Sequence, residues 1–257
     1  MKTPLTSRSF TLSAAVLRAL ACLATEKDTR KYIEGVYVDV RRDGARVVAT
    51  DGAVMGAMFV PRESNAADLD ASDFADVPGF DTPQFVPWAC LVPLHVIKLL
   101  PKVKRYAAAG HVTLSLLGRP NECRKDDSTA PEHVYTLSIE CGGLRQTVDL
   151  ADERYPDYVR VMPTRADAAA APIASHLDLS KLAKFVALAK ALDRVPTAVT
   201  VHQRGNVAAL IGLSGEEFIG LIMPLRSEAV APLTEADAPL WLTSAPATLP
   251  TAEAIAA

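Results

Sequence analysis

The hydrophobic positions along the chain follow two spacings in turn. Short segments in which every second residue is apolar predict β-strands, and longer segments with apolar residues three and four positions apart predict amphipathic helices. The clearest predicted helix has one apolar stripe, formed by Val16, Leu17, Leu20 and Leu23. A candidate start residue, either a capping serine or a proline, precedes each of three such helices. These start residues are Ser13, Pro93 and Ser180.

The predicted strands and helices occur in the same order three times along the chain. In each unit a short strand precedes the helix and three further strands follow it. Short turns join these strands, which is typical of antiparallel hairpins, and one helix per unit can cover one face of the sheet. The pattern therefore predicts an α+β fold of repeated β-α-β-β-β units, with antiparallel sheets and one helix per unit. The predicted first strands are residues 9–12, 89–92 and 176–179.

The segments between the units divide the chain into parts of unequal size. Residues 1–163 hold two units, which together predict one domain, with a long acidic loop at 62–84. Residues 164–174 are rich in alanine and predict a linker between domains. Residues 175–227 hold the single third unit, and residues 228–257, rich in alanine and proline, predict a disordered tail.

Composition narrows the function classes. The chain has 257 residues, 49% of them apolar, which is enough to bury a sizeable core. Its 27 basic and 30 acidic residues give a net charge of −3, so any contact with DNA would need basic residues gathered on one surface. Four irregularly spaced cysteines favour reduced thiols and a cytoplasmic protein. No apolar run approaches the roughly 20 residues that span a bilayer, so no membrane association is expected.

Catalytic motifs are missing from the sequence. The five histidines have no metal-binding spacing, and the chain has neither a glycine-rich phosphate loop nor a nucleophile motif. One alternative is a carboxylate cluster for metal-dependent nuclease chemistry, formed by Asp51, Asp149, Asp152 and Asp157. Aspartates at strand ends are more often turn formers, however. We therefore expect a protein that is not an enzyme and that has no catalytic residues, metal or cofactor.

Three motifs stand at predicted strand ends. The first leads into the Ala-Thr-Asp-Gly turn at residues 49–52, the second covers residues 152–163, and the third is Ile-Met-Pro-Leu-Arg at residues 222–226. Together, in this order and on this repeat, they resemble the bacterial DNA polymerase sliding clamp, the β subunit of the replicative polymerase. The resemblance covers residues 8–226. It matches the middle domain of the family chain, followed by the last half of its third domain.

The resemblance implies a hydrophobic cleft that receives short linear peptides of polymerases, clamp loaders and repair proteins. Apolar side chains suit a peptide anchor, and methionine adapts to varied partners. The family usually continues the turn with His-Arg-Leu, whereas this chain has Ala-Val-Met, so its peptide preference is expected to differ. Two arginines of the implied cleft would hold the polar end of the peptide. The implied cleft residues are Ile33, Thr50, Gly52, Val54, Met55, Pro156, Arg160, Val161, Met223, Pro224, Leu225 and Arg226.

The resemblance also implies that the helices face double-stranded DNA and contact its backbone independently of sequence. The predicted helices are nearly free of acidic residues although the whole chain is acidic. The alternative is that these cations are merely the solvated face of amphipathic helices, with some favoured near helix C-termini. The candidate DNA-binding residues are Arg18, Lys27, Arg30, Lys98, Lys102, Lys104, Arg105, Lys181, Lys184, Lys190 and Arg194.

Two functions follow from the resemblance. The first is a shortened sliding clamp, of phage or plasmid origin, that encircles DNA and raises polymerase processivity. Because a clamp ring of the family contains twelve units, four chains of three units would supply a homo-oligomeric ring. The second is a non-encircling protein that binds the same peptides as a modulator or decoy of replication partners. A further hypothesis places residues 238–242, Ala-Pro-Leu-Trp-Leu, in the cleft of the same or a neighbouring chain.

Overall fold

The computed structural model describes residues 7–62, 87–102, 110–120, 133–150, 155–162, 175–193, 199–204, 207–213 and 218–225. Within these ranges the strands and helices of the first two units follow the predicted order, and the third unit lacks its predicted first strand. The strands are β1 Ser7–Ser13, β2 Gly35–Arg41, β3 Gly44–Thr50, β4 Val54–Pro61, β5 Trp88–Pro93, β6 His111–Pro120, β7 His133–Cys141, β8 Leu144–Asp149, β9 Val199–His202, β10 Ala209–Leu213 and β11 Phe218–Ile222. The α-helices are α1 Ala14–Ala21, α2 Leu94–Leu99 and α3 Leu179–Ala191, and 3₁₀ turns cover Lys31–Ile33 and Tyr158–Val161.

The strands form two antiparallel sheets, which confirms the predicted α+β class. A four-stranded sheet has the order β1-β6-β7-β8, and a seven-stranded sheet has the order β5-β2-β3-β4-β11-β10-β9. The first two units exchange their first strands. β1 pairs with β6 of the second unit, and β5 pairs with β2 of the first. This exchange makes residues of both units part of each sheet.

The third unit joins the first through the pairing of β4 with β11. Ile222 lies opposite Val54 in this pair, and just beyond it the Met223 amide donates to the Ala53 carbonyl over 2.9 Å. Two glycines, Gly56 and Gly220, lie directly opposite each other in the middle of the pair. The absence of side chains at both positions lets Leu23, which follows α1, and Phe185 of α3 approach the sheet closely.

The helices lie together over one face of the sheets. Ser13 caps α1 as predicted, since its hydroxyl accepts from the Ala15 amide over 3.3 Å. The stripe predicted for α1 is buried, and α1 contacts both α2 and α3. Phe185 of α3 is fully buried and packs edge-on against Phe218 of β11. A continuous core therefore runs beneath all three units.

The start of the third unit differs from the prediction. Residues 175–178 do not form the strand predicted at 176–179, and α3 begins at Leu179. The helix is capped by Asp178, whose carboxylate accepts from the Ser180 amide over 2.8 Å, so Ser180 is not the cap. The His176 carbonyl is instead taken by the Leu225 amide over 2.7 Å, beyond the end of β11. This bond directs the segment across the end of the sheet.

Several other predictions lie outside the described residues. Apart from residue 62, the predicted loop at 62–84 cannot be compared with the structure, and neither can the linker at 164–174 or the tail at 228–257. In the part of the chain that is described, no helix has both the length and the apolar character to cross a bilayer.

Candidate functional site

The turn between β3 and β4 is fixed by its own side chains. The Thr50 hydroxyl donates to the Val54 carbonyl over 2.7 Å and accepts from the Gly52 amide over 3.0 Å. Asp51 Oδ1 accepts from the amides of Ala53 and Val54, both over 2.8 Å. Gly52 has a φ of +91°, which glycine adopts without the strain that a side chain brings. The Ala-Thr-Asp-Gly sequence is therefore what this turn requires.

Arg30 lies against the outside of the turn. A Cβ atom at Gly52 would lie 3.0 Å from Nη1 and from Nη2 of Arg30, so the missing side chain makes room for the guanidinium. Asp28 holds this guanidinium through Nε to Oδ1 and Nη2 to Oδ2, each 3.0 Å. These bonds lower the pKa of Asp28 to about 2. Arg30, predicted to face DNA, is placed beside the implied cleft.

The segment 155–162 covers the face of the seven-stranded sheet that the helices leave open. Alternate residues of the strands point to the two faces. Val47 therefore belongs to the helix-covered core, while Val48 and Met55 pack with Tyr158 on the other side. Tyr155 of the same segment stacks on Tyr37 of β2.

Tyr158 is anchored by a polar contact as well as by packing. Its hydroxyl donates to Asp39 Oδ2 over 2.7 Å, and Arg41 Nη2 donates to the same oxygen over 2.9 Å. Burial, together with the hydrogen bond to Asp39, raises the pKa of the Tyr158 hydroxyl. The network fixes the second motif of the sequence against β2.

A cavity of about 450 Å³ opens where the turn, the segment 155–161 and the end of β11 meet. Its size falls within the usual range of ligand pockets. Two apolar side chains at its rim are left largely in water, Val161 with 58% and Met223 with 53% of its surface exposed. Apolar side chains exposed around a concave site are typical of a surface that binds apolar groups of a partner.

Eight of the twelve implied cleft residues line this cavity. They are Ile33, Thr50, Gly52, Val54, Met55, Pro156, Val161 and Met223. Arg160, Pro224 and Leu225 are described but do not line it, and Arg226 lies outside the described residues. Sequence reasoning missed the other lining residues, which are Arg30, Tyr32, Ala53, Tyr155, Asp157, Tyr158, Ala208 and Leu221. The role of the whole set in peptide binding stays a prediction.

Two of the predicted DNA-binding lysines contact the turn instead of standing free. Lys181 Nζ and Lys184 Nζ of α3 donate to Asp51 Oδ2 over 2.9 and 2.8 Å. The Asp51 side chain is only 6% exposed, whereas those of Lys181 and Lys184 are 31% and 27% exposed. Burial acts to raise the pKa of Asp51, but hydrogen bonds from Lys184, Lys181 and the turn amides outweigh it and hold that pKa well below its usual range.

Two other predicted DNA-binding cations also bond to groups of the same chain. Arg18 Nη1 donates to the Leu100 carbonyl over 3.0 Å, at the end of α2, and Lys98 forms an ion pair with Glu26. Lys27 adopts a left-handed conformation with a φ of 60° after α1. Lys102 and Lys190 are exposed, and Lys104, Arg105 and Arg194 lie outside the described residues. The described helices themselves contain no acidic residue.

The described ranges hold no group of three histidine, cysteine, aspartate or glutamate residues that could share a metal ion. Of the aspartates in the alternative carboxylate cluster, Asp152 lies outside these ranges. The two carboxylate oxygens of Asp51 accept hydrogen bonds from the turn amides and from the lysines. Asp157 caps a 3₁₀ turn by accepting from the Val159 amide.

Two β-α-β-β-β units with exchanged first strands, followed by a third unit whose strands continue the sheet of the first, define the fold of a DNA sliding clamp. Solved structures similar to this chain are bacterial sliding clamps, the β subunits of DNA polymerase III. The clamp of Pseudomonas aeruginosa is 15% identical, with a TM-score of 0.54, over 88% of this chain and 68% of its own.

The clamps of two further bacteria match in the same way. That of Streptococcus pneumoniae is 13% identical, with a TM-score of 0.55, over 88% of this chain and 67% of its own. That of Thermotoga maritima is 13% identical, with a TM-score of 0.52, over 88% of this chain and 68% of its own. No protein-family model matches the sequence, and no curated protein matches it either. The similarity is therefore one of fold, and it spans about two thirds of each of these clamp chains.

Proposed function

We propose that this protein is a non-catalytic, sliding-clamp-like processivity factor that binds short linear peptides of replication proteins in the cavity at residues 50–55. The observation that carries the proposal is the cavity itself. Three segments far apart in the sequence, all singled out by their motifs, meet around one pocket with an apolar rim. The clamp fold of the chain supports the same reading.

The chemistry of the cavity favours a peptide with apolar anchors. Ile33, Val54, Met55 and Leu221 supply an aliphatic lining, and Met223 can adapt its shape to different side chains. Polar groups are confined to a few positions, such as the Arg30 guanidinium beside Gly52. This division suits a short segment that inserts leucine or aromatic side chains and leaves its polar end at the edge.

Peptide binding can be tested by fluorescence anisotropy. Labelled peptides containing leucine and an aromatic residue, with Ala-Pro-Leu-Trp-Leu from residues 238–242 among them, would be titrated with the protein. Met223→Asp places a charge at the apolar rim and is expected to weaken binding by about tenfold or more. Leu99→Asp is the matched control, because Leu99 of α2 is 57% exposed and does not line the cavity. Equal affinity in the two variants would contradict the assignment of the cavity.

In this proposal, several chains would together encircle DNA. Three units per chain would give a twelve-unit ring from four chains, with the basic residues of the helices turned toward the DNA backbone. Light scattering behind a sizing column, at micromolar concentration, tests this arrangement directly. A tetramer that is retained on closed circular DNA and lost after linearisation would support the ring.

A specific observation favours the second function, a non-encircling modulator or decoy of replication partners. Arg18, Lys181 and Lys184 already bond to groups of the same chain, so fewer cations stand free for phosphates than the helix pattern predicts. A monomer that binds peptide in the cavity but does not bind duplex DNA would support this function and contradict the ring.

A further inference from the structure

Asp51 joins two surfaces of the molecule with its two carboxylate oxygens. Oδ1 accepts from the amides of Ala53 and Val54, which form part of the cavity wall. Oδ2 accepts from the ammonium groups of Lys181 and Lys184 on α3. One side chain of the first unit is therefore shared between the cavity and a helix of the third unit.

We propose that Asp51 is a positioning residue that couples the cavity to the cationic face of α3. An anion that binds Lys181 and Lys184 loosens the wall at residues 53–54, and a ligand in the cavity weakens the binding of that anion by the same factor. This inference rests on the proposed function for its anion, which is the phosphate backbone of duplex DNA.

The charges of the cluster favour such competition. Two ammonium groups face a single carboxylate, so the cluster keeps a net charge of +1 that attracts a further anion. Each ammonium has three donors and spends one of them on Asp51. A phosphate that draws the ammonium groups toward itself lengthens their contacts with Asp51, and its own charge repels the Asp51 carboxylate.

The exposures of the three side chains decide which partner moves. Lys181 and Lys184 are about one-third exposed, so a phosphate can reach them from solvent. Asp51 is almost fully buried, so water cannot replace lost ammonium contacts while the turn keeps its shape. When Lys181 and Lys184 leave Asp51, the carboxylate therefore shifts, and the shift disturbs its hydrogen bonds to the amides of Ala53 and Val54.

Hydrogen exchange, measured by mass spectrometry, shows how well the amides of the cavity wall are protected, and the experiment needs no peptide. The amides of Ala53 and Val54 would be followed with and without a short DNA duplex, at constant ionic strength. Addition of the duplex to the wild-type protein is expected to raise their exchange rates by about fivefold, the lower end of ordinary coupling between sites. In the double variant K181Q/K184Q, exchange should already be raised, and the duplex should add nothing.

Matched variants separate this coupling from general destabilisation. Lys190→Gln removes an exposed charge from the same helix that makes no bond to Asp51, so at a saturating concentration of duplex the exchange at residues 53–54 should rise as it does in the wild type. Asp51→Asn keeps an oxygen for the two amides while removing the charge that holds the lysines. It should bind the duplex more tightly than the wild type and should show no response of residues 53–54 to it. This variant also decides the matter if the double lysine variant does not fold.

The outcomes that overturn the proposal are distinct from those that overturn the proposed function. If the duplex binds and exchange at Ala53 and Val54 stays unchanged, the coupling is wrong and a DNA-binding role stands. If the wild-type protein does not bind the duplex at all, the DNA-binding part of the proposed function is wrong and the coupling falls with it. An equal response in the wild type and in K181Q/K184Q would assign the effect to other residues.

Discussion

Tyr37 of β2 and Tyr155 of the segment 155–162 stack face to face, with ring centroids 4.3 Å apart and ring planes inclined by only 5°. Tyr158 meets Tyr37 edge-on, with its centroid 6.3 Å away. The segment that forms one wall of the cavity is therefore held to the sheet by a three-ring cluster. Because the segment has only a short 3₁₀ turn of its own, these contacts fix its position.

Replacement of Tyr37 tests that anchoring. Tyr37→Leu removes the stacked ring and is expected to lower the free energy of unfolding by about 1–2 kcal/mol, since an aromatic pair adds roughly 0.5–1.5 kcal/mol beyond its buried area. Peptide affinity should fall as well, because Tyr155 and Val161 both line the cavity. Urea denaturation and anisotropy measure the two effects. Tyr37→Phe retains the ring and is the control, so equal losses in both variants would contradict a role for stacking.

The hydroxyls of Tyr155 and Tyr158 predict opposite results for the same substitution. Tyr158→Phe removes a buried hydrogen bond to Asp39 and is expected to destabilise the protein by about 1–2 kcal/mol. Tyr155→Phe removes a buried hydroxyl that has no hydrogen-bond partner in the described structure, so it should be neutral or stabilising. Thermal or urea denaturation of the two variants side by side gives the answer. A larger loss in Tyr155→Phe than in Tyr158→Phe would mean that the assigned partners are wrong.

Local features of the fold could be predicted from the sequence because they depend on neighbouring residues. The cap at Ser13 and the strand predicted at 89–92, which is β5, follow from short-range patterns, and both are confirmed. The strand predicted at 176–179 fails for the opposite reason. Its alternation is real, but the His176 carbonyl bonds to Leu225, which lies far away in the sequence.

The predicted site shows the same difference between features that depend on neighbouring residues and contacts between distant segments. Thr50, Gly52 and Met223 line the cavity because their motifs stand at strand ends that the fold brings together. Arg30 and Lys184 could be recognised as exposed cations, but no pattern reveals that one packs on Gly52 and the other bonds to Asp51. Such contacts arise only when distant segments meet. A helical stripe predicts which face is exposed, and it does not predict the partner of a charge on that face.

The glycine pair between the first and third units predicts a steric effect. A Cβ atom at Gly220 would lie 2.5 Å from Cε1 of Phe185, which is fully buried, so the helix or the strand would have to shift. Gly220→Ala is therefore expected to cost about 1–3 kcal/mol of stability, as overpacked cores do. Gly212→Ala on the neighbouring strand is the control, because its Cβ would meet only Thr200 at an ordinary 3.8 Å. Calorimetry that finds the two variants equally stable would argue against close packing of α3 on β11.

The ion pairs of Asp51 predict a defined pH dependence. The pKa of Asp51 in the folded protein lies below its ordinary value of about 3.9, so ionised Asp51 stabilises the fold at any pH above that value. This contribution is lost as pH falls toward the lowered pKa, because the unfolded chain then binds a proton that the folded protein does not. Asp51→Asn removes the contribution and should lower the free energy of unfolding at neutral pH by about 2 kcal/mol.

The difference in unfolding free energy between the wild type and Asp51→Asn isolates this group from the other carboxylates, including Asp28, whose pKa is also lowered. Urea denaturation should give a constant difference between about pH 5 and pH 8, and a shrinking one as pH falls below about 4. If the difference grew on acidification, the folded-state pKa of Asp51 would be raised instead of lowered. Lys181 and Lys184 would then not hold its charge, and the link between the cavity wall and α3 would lose its physical basis.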